Sequence, residues 1–314
     1  MTTDRWIASR TYLGRNFDAD DLVAARREAG LTVSVCLPAL NVATTIGPII
    51  EAVRDRWMFD RQLVDEIIVV NGPSTDATAE VAERAGARVT DQHGVLPEAG
   101  PGSGKGEALW KSLAASSGDL VVWLDSDVHD FDPNFVPGLL GPLLTDSDVG
   151  YVKALYQRPL GESTQGGGRV TEICARPLIN LFYPELAGFA QPLSGEAAGR
   201  RSLLEAVPFF SGYAVEIGLL IDILEHAGLG AMGQVDLGIR RHDHQSTAQL
   251  GRMAFTISQA VMRRLAQSGR VPDALLTPNP PYRAPTGEFP GLEMAAWHAD
   301  LHERPPMRDR LVVA

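Results

Sequence analysis

The stretch Gly118-Asp119-Leu120-Val121-Val122-Trp123-Leu124-Asp125-Ser126-Asp127 constrains the fold of this chain more than any other. Leu120 to Leu124 is a continuous apolar run rich in β-branched side chains. Such a run suits a strand buried on both faces of a parallel sheet. Two carboxylates follow, one residue apart. In open α/β sheets ligands bind beyond the carboxyl ends of the strands. Asp-x-Asp delivered there suits a hard divalent cation, which one or two carboxylates hold together with substrate phosphates. The pattern predicts a metal-dependent enzyme acting on a nucleotide diphosphate; a solvated Asp-Ser turn is the plain alternative.

The flanking sequence supports a parallel sheet. Strands are expected over Thr32–Ala39, Glu66–Val70 and Ala87–Thr90. Helical patterns lie between them: Ile46, Ile49, Ile50 and Val53, then a helix from about Ala77 to Gly86. Short strands alternating with helices are the signature of βαβ units. Further helices are expected over Asp18–Arg27 with Gly30 as stop, Lys105–Ala115 and Val215–Ala227, and further strands over Tyr151–Tyr156 and Gln234–Ile239. No internal repeat is visible. At 314 residues a sizeable core is available and about two domains are expected. The division read is 1–150, 151–265 and a proline-rich extension, 266–314, expected to be extended and to wrap or swap rather than join a core.

A net charge of −11 argues against general nucleic-acid binding, where a basic stripe is expected. It leaves room for anionic small substrates at a local basic cluster. Cys36 and Cys174 are the two cysteines, in apolar surroundings without zinc spacing, and read as buried thiols of a reducing compartment. Met1–Trp6 carries no apolar leader and no stretch approaches a membrane span. A cytoplasmic protein without a membrane partner is expected.

Four further groups carry potential chemistry. Ile239-Arg240-Arg241-His242-Asp243-His244 follows an expected strand; imidazole ligates metals such as Mn²⁺ and Arg suits phosphate, though a solvated turn has the same composition. Gly102-Ser103-Gly104-Lys105-Gly106 lacks the Walker spacing, yet glycines before a helix expose N–H groups to an anion and Lys105 adds charge; a flexible loop is equally consistent. Gly166-Gly167-Gly168-Arg169-Val170-Thr171-Glu172 reads as a second anion site, separate from the metal. Glu216 lies among apolar neighbours, either on a helix surface or facing a substrate hydroxyl or positive centre.

In this order, Leu37-Pro38-Ala39-Leu40-Asn41, Gly104–Trp110, Leu124–Asp127, Gly167–Glu172, Ala175–Leu178, Gln191–Glu196 and Val215–Asp222 resemble the glucosyl-3-phosphoglycerate synthases and their mannosyl-3-phosphoglycerate relatives. The resemblance runs from about residue 31 to 265. It implies a GT-A glycosyltransferase fold: a Rossmann-like, mainly parallel sheet flanked by helices, with an acceptor-binding C-terminal part. It implies a retaining transferase that moves a sugar from a nucleotide sugar to D-3-phosphoglycerate with Mg²⁺ or Mn²⁺, as a homodimer. Asp127 and His242 would hold the metal. Pro38, Ala39, Leu40, Asn71, Gly72, Lys105, Asp125, Ser126 and Arg240 would line the nucleotide-sugar site. Gly168, Arg169, Thr171 and His244 would hold the acceptor. Glu216 would touch the sugar, and the Leu193 carbonyl would face the positive charge of the transition state. The chain departs from the family at Val42, Asn71 and Gln245. UDP-glucose is the donor implied by default. GDP-mannose or relaxed donor use is the first alternative, and a non-catalytic sugar-nucleotide-binding protein the second.

Overall fold

The computed structural model describes residues 1–314 except 158, 161–162, 167, 241–245, 278–279, 288–289, 291, 300 and 312–314. The chain opens with α1 (Thr3–Arg10), β1 (Thr11–Leu13) and α2 (Ala19–Glu28). Strand and helix then alternate: β2 (Val33–Ala39), α3 (Ile46–Val53), β3 (Glu66–Asn71), α4 (Thr78–Ala85), β4 (Arg88–Asp91), α5 (Lys105–Ala115), β5 (Leu120–Trp123). The second half contains α6 (Phe135–Thr145), β6 (Tyr151–Gln157), a small hairpin of β7 (Pro159–Leu160) and β8 (Ser163–Gly166), and α7 (Arg176–Phe182). It continues with β9 (Ala197–Arg200), α8 (Arg201–Leu204), β10 (Phe209–Phe210), α9 (Val215–Ala227), β11 (Met232–Ile239) and α10 (Thr247–Gln267). A hairpin of β12 (Pro281–Thr286) and β13 (Glu293–His298), the short β14 (Glu303–Arg304) and α11 (Arg308–Leu311) follow.

Eight strands form the main sheet in the order β1-β11-β6-β9-β5-β2-β3-β4. All neighbours run parallel except β9, which is antiparallel to both β5 and β6. Strands from residues 151–239 therefore complete the same sheet as those from 1–150. The apolar run after Gly118 forms a strand buried at every position. Successive side chains of a strand point to opposite faces. Val121 and Trp123 accordingly join one core cluster, with α5, α9 and α10. Leu120, Val122 and Leu124 join the other, with α2, α3, α4 and α6. From β2 the chain goes one way to β3 and, later, to β5 on the other side. This reversal opens a crevice at the carboxyl ends of β2 and β5, where ligands of open α/β sheets bind.

Local sequence sets the element ends. Asp18 caps α2 by accepting from the backbone of Asp20 and Asp21, satisfying N–H groups that the first turn leaves unpaired. Gly86 ends α4 in the left-handed region, at φ 100°, which favours glycine. The two helices that enter the site, α5 and α9, span the residues expected for them.

The proline-rich tail differs from the expectation. Its segments Pro281–Thr286 and Glu293–His298 pair antiparallel, and Leu301 and Met307 are buried in the first core cluster. The apolar residues between the prolines find that core because β14 pairs with β10. Cys36 is buried as expected, whereas Cys174 is only partly so. Among the described residues no helix is long and apolar enough to cross a membrane.

Candidate active site

The crevice holds a cavity of about 620 Å³. One wall is the end of β2, Pro38, Ala39 and Leu40, with Gly72 beyond β3. The Asp-Ser-Asp turn is tied to this wall through its middle residue. Ser126 donates from Oγ to the Pro38 carbonyl, and its own carbonyl accepts from Thr45 Oγ1 at 2.6 Å. Ser126 is therefore a strut between β5 and β2, and the two acids beside it line the cavity.

The floor is a network of alternating charges. Lys105, the first residue of α5, donates to Asp125 Oδ1 and lies 3.0 Å from Glu216 Oε1. Arg240 donates from Nη2 to Asp125 Oδ2 at 2.7 Å and reaches Asp127 Oδ1 at 3.4 Å. Its Nε lies 2.8 Å from Glu196 Oε1. Tyr156 donates to Glu196 Oε2 at 2.6 Å and sets its ring under the Arg240 guanidinium, 5.4 Å away. Asp125 thus sits between two cations, with its side chain 16% exposed, whereas Asp127 is 66% exposed.

Charge states follow from this layout. Burial acts to discharge Lys105, but Asp125 and Glu216 outweigh it and hold the ammonium above its usual range. Burial and acid neighbours oppose each other in the same way at Arg240, which stays charged. Asp127 is pushed up by desolvation at the floor and then by the nearby Asp125 carboxylate. Its ionised form therefore gains from any added cation.

The cavity is also lined by Gly168, Arg169 and Thr171, where the chain enters a wide π-helical turn, Thr171–Ala175, that runs into α7. Gly168 has φ +79°, a conformation that suits glycine. Thr171 is buried. Leu193 and Gly195 complete this part of the lining, Gly195 directly against the Asp125 carboxylate.

One cavity therefore collects Pro38, Ala39, Leu40, Gly72, Lys105, Asp125, Ser126, Asp127, Gly168, Arg169, Thr171, Leu193, Glu216 and Arg240. Asn71 stands apart: its side chain accepts from Ser74 Oγ at 2.8 Å, and it is not on the wall. His242 and His244, like Gln245, lie outside the described residues. Val42 is on the wall. Sequence reasoning assigned no role to Tyr156, Glu196 or Lys153. Lys153 donates to the Ser194 carbonyl at 2.6 Å and is 2% exposed. A lysine inside the apolar alternation of Tyr151–Tyr156 was the available signal, because buried lysines require a partner.

A switch-point crevice, paired acids at the end of a buried strand and a second lining segment that carries Arg169 together define a GT-A type glycosyltransferase. A family model described as Glycosyl transferase family 2 matches residues 34–207. The chain belongs to that family and, within it, to the glucosyl-3-phosphoglycerate synthases. The synthase of Petrotoga mobilis is 48% identical over 270 residues, covering 84% of this chain and 83% of the relative. That of Mycolicibacterium paratuberculosis is 44% identical over 312 residues, covering 97% and 92%. Among solved structures, mannosyl-3-phosphoglycerate synthase from Rubrobacter xylanophilus superimposes with a TM-score of 0.91 at 42% identity, covering 98% of each chain. Glucosyl-3-phosphoglycerate synthase from Mycobacterium tuberculosis, in complex with Mn²⁺, UDP and phosphoglyceric acid, gives 0.82 at 42% identity, covering 94% of this chain and 95% of that one.

Proposed function

We propose that this protein transfers glucose from UDP-glucose to D-3-phosphoglycerate, releasing UDP and glucosyl-3-phosphoglycerate with retention at the anomeric carbon. The observation that carries the reading is one cavity lined both by the Lys105–Asp125–Arg240 floor and by Gly168, Arg169 and Thr171. Relatives support both substrates: the Mycobacterium tuberculosis enzyme has been crystallised with Mn²⁺, UDP-glucose and phosphoglyceric acid, and with the glucosyl-3-phosphoglycerate product.

The donor set suits a divalent metal. Asp127 offers a carboxylate oxygen to the cavity, and desolvation together with the neighbouring Asp125 carboxylate raises its pKa, an effect that an added cation would offset. Among the described residues there is no cluster of three or more His, Cys, Asp or Glu ligands. A single carboxylate completed by substrate phosphates is ordinary for Mg²⁺, and the family resemblance implies His242 as a second ligand. Held by Asp127 and His242, Mg²⁺ or Mn²⁺ would neutralise charge on the leaving diphosphate.

The chain's own residues supply the rest. Lys105 and Arg240 set fixed positive charge beside the donor subsite, where negative charge develops. Asp125, pinned between them, presents one defined orientation to the donor sugar. Arg169 and Thr171 hold the acceptor's charged groups, converting a two-molecule encounter into a positioned one. Asp125, Glu216 and Glu196 are each ion-paired to Lys105 or Arg240. Carboxylates so engaged are poor nucleophiles, which supports attack by the acceptor hydroxyl on the face the diphosphate leaves. The C1–O bond to the diphosphate breaks as the new C1–O bond forms, and the hydroxyl proton passes to the departing phosphate oxygen. The Leu193 carbonyl faces the cationic carbon between these events.

The likeness to a mannosyl-3-phosphoglycerate synthase, with Val42 on the cavity wall, supports GDP-mannose as a second donor. A panel of UDP-glucose, GDP-mannose and ADP-glucose with D-3-phosphoglycerate and Mg²⁺ or Mn²⁺, followed by product NMR, decides the matter. UDP release that requires phosphoglycerate is expected. No nucleoside diphosphate from any donor would instead favour the non-catalytic binding protein. The same reading makes the protein a cytoplasmic homodimer. The exposed side chains of Ile173 and Leu181 beside the acceptor wall support a contact there, which light scattering measures.

A further inference from the structure

The glycine loop before Lys105 is held from the far end of the chain. Arg304 is 8% exposed and donates to the consecutive carbonyls of Ala99, Gly100 and Pro101. The same guanidinium makes a two-pronged ion pair with Glu107, at 2.7 and 3.1 Å. Glu107 is fully buried and also faces Lys111 Nζ at 3.3 Å. Lys111 in turn donates to the Gln92 carbonyl at 2.6 Å, and the Gln92 amide donates to the Gly102 carbonyl at 3.1 Å. Gly102 rests directly on the pair: a β-carbon there would lie 2.4 Å from Arg304 Nη2.

The same segment braces a second part of the cavity. β14 pairs with β10, and Ser211 and His302 exchange hydrogen bonds of 2.8 and 2.9 Å. Gly212 and Tyr213, which line the cavity, come next. Gly106 packs against β10, with its would-be β-carbon 1.9 Å from the Phe210 carbonyl. Trp110 of α5 donates to the Pro305 carbonyl at 2.8 Å. The first turn of α5, β10 and residues 302–305 thus form one block, and Lys105 projects from it.

We infer that Arg304 is a positioning residue for the donor subsite, fixing the glycine loop so that Lys105 meets Asp125 and Glu216. This explains why Glu107 follows Gly104-Lys105-Gly106: the lysine enters the cavity and the acid, two residues on, anchors the loop from behind. A guanidinium satisfies carbonyls and a carboxylate together through its fork of five N–H donors, which an ammonium cannot match.

The inference rests on the proposed transferase reading, and the test separates the two. Arg304→Lys is compared with wild type in donor and acceptor kinetics and in calorimetric UDP binding with Mn²⁺. The expected result is a rise of about tenfold in the KM for UDP-glucose and the Kd for UDP, with the acceptor KM within about twofold. Equal effects on both substrates, or a lowered melting temperature with unchanged constants, overturns it. Glu107→Gln carries the same expectation in smaller measure if Arg304→Lys does not fold. Failure of both variants to fold also overturns it, in favour of a purely structural role. If wild type turns over no donor the transferase reading fails, while UDP binding still tests the clamp.

Discussion

Gly195 lies so close to Asp125 that a β-carbon built on it would sit 2.0 Å from the carboxylate oxygen Oδ2. Asp125 cannot swing aside without leaving Lys105 and Arg240. Gly195→Ala is therefore expected to displace the carboxylate while the sheet behind it remains folded. A displacement of this size at a positioned group costs about 10²-fold in rate. Steady-state kinetics beside circular dichroism measure it; unchanged kcat would mean that the orientation of Asp125 is dispensable.

Asp127 behaves differently because its side chain is 66% exposed. Replacing an exposed group away from special contacts changes stability by about 0.5 kcal/mol or less. Asp127→Asn is expected to melt like wild type yet lose Mn²⁺-dependent UDP affinity. Titration calorimetry with and without Mn²⁺ gives the answer. Binding that keeps its full metal dependence would remove Asp127 from the ligand set.

Arg169→Ala is expected to raise the KM for D-3-phosphoglycerate by about 10- to 100-fold, the size of a lost charge-assisted hydrogen bond. The KM for UDP-glucose should stay near its wild-type value. A matching rise for both substrates would place Arg169 outside a separate acceptor site.

Burial pulls the Lys153 ammonium down to about 8 from 10.5. Between those values the unfolded chain binds more protons than the native one, so stability from this site rises with pH. Below pH 8 the full cost of a buried charge is present; above 10.5 it is relieved. The unfolding free energy of wild type relative to Lys153→Met should therefore climb by roughly 3 kcal/mol across that window. Denaturant melts at several pH values follow the climb, and a flat difference would assign the titration elsewhere.

The donor floor was legible where one short segment carries its own signal. The apolar run ending in Asp125 and Asp127 needs only burial on two faces, and Lys105 and Glu216 lie on helices with clear patterns. β9 was not legible: Ala197-Ala198-Gly199-Arg200 has little strand propensity and is held by β5 and β6 on either side. Nor was α6, whose interior contains Pro142; burial against the sheet at β6 and β11 overrides its composition. α10 was passed over although Ser246 and Gln249 form a capping box at its start. Tyr156, Glu196 and Arg304 escaped because their partners are remote, Glu107 and Arg304 being 197 residues apart. Periodicity reports a residue's face, not the distant group waiting there.

The sheet order also bears on how the chain reaches this structure. β2, β3 and β4 join neighbours along the sequence and β5 returns to β2, whereas β1 meets β11 with Thr11 opposite Gln234, and Trp6 donates to the Met232 carbonyl across 226 residues. Closing so long a loop precedes any reward from the contacts it brings, which slows folding. Arg240 arrives with β11. β11 is seated on β6, and the Arg240 amide donates to the Gln157 carbonyl at the end of that strand, so Asp125 acquires its second cation only when the half of the sheet built from residues 151–239 has closed onto the half that carries β5.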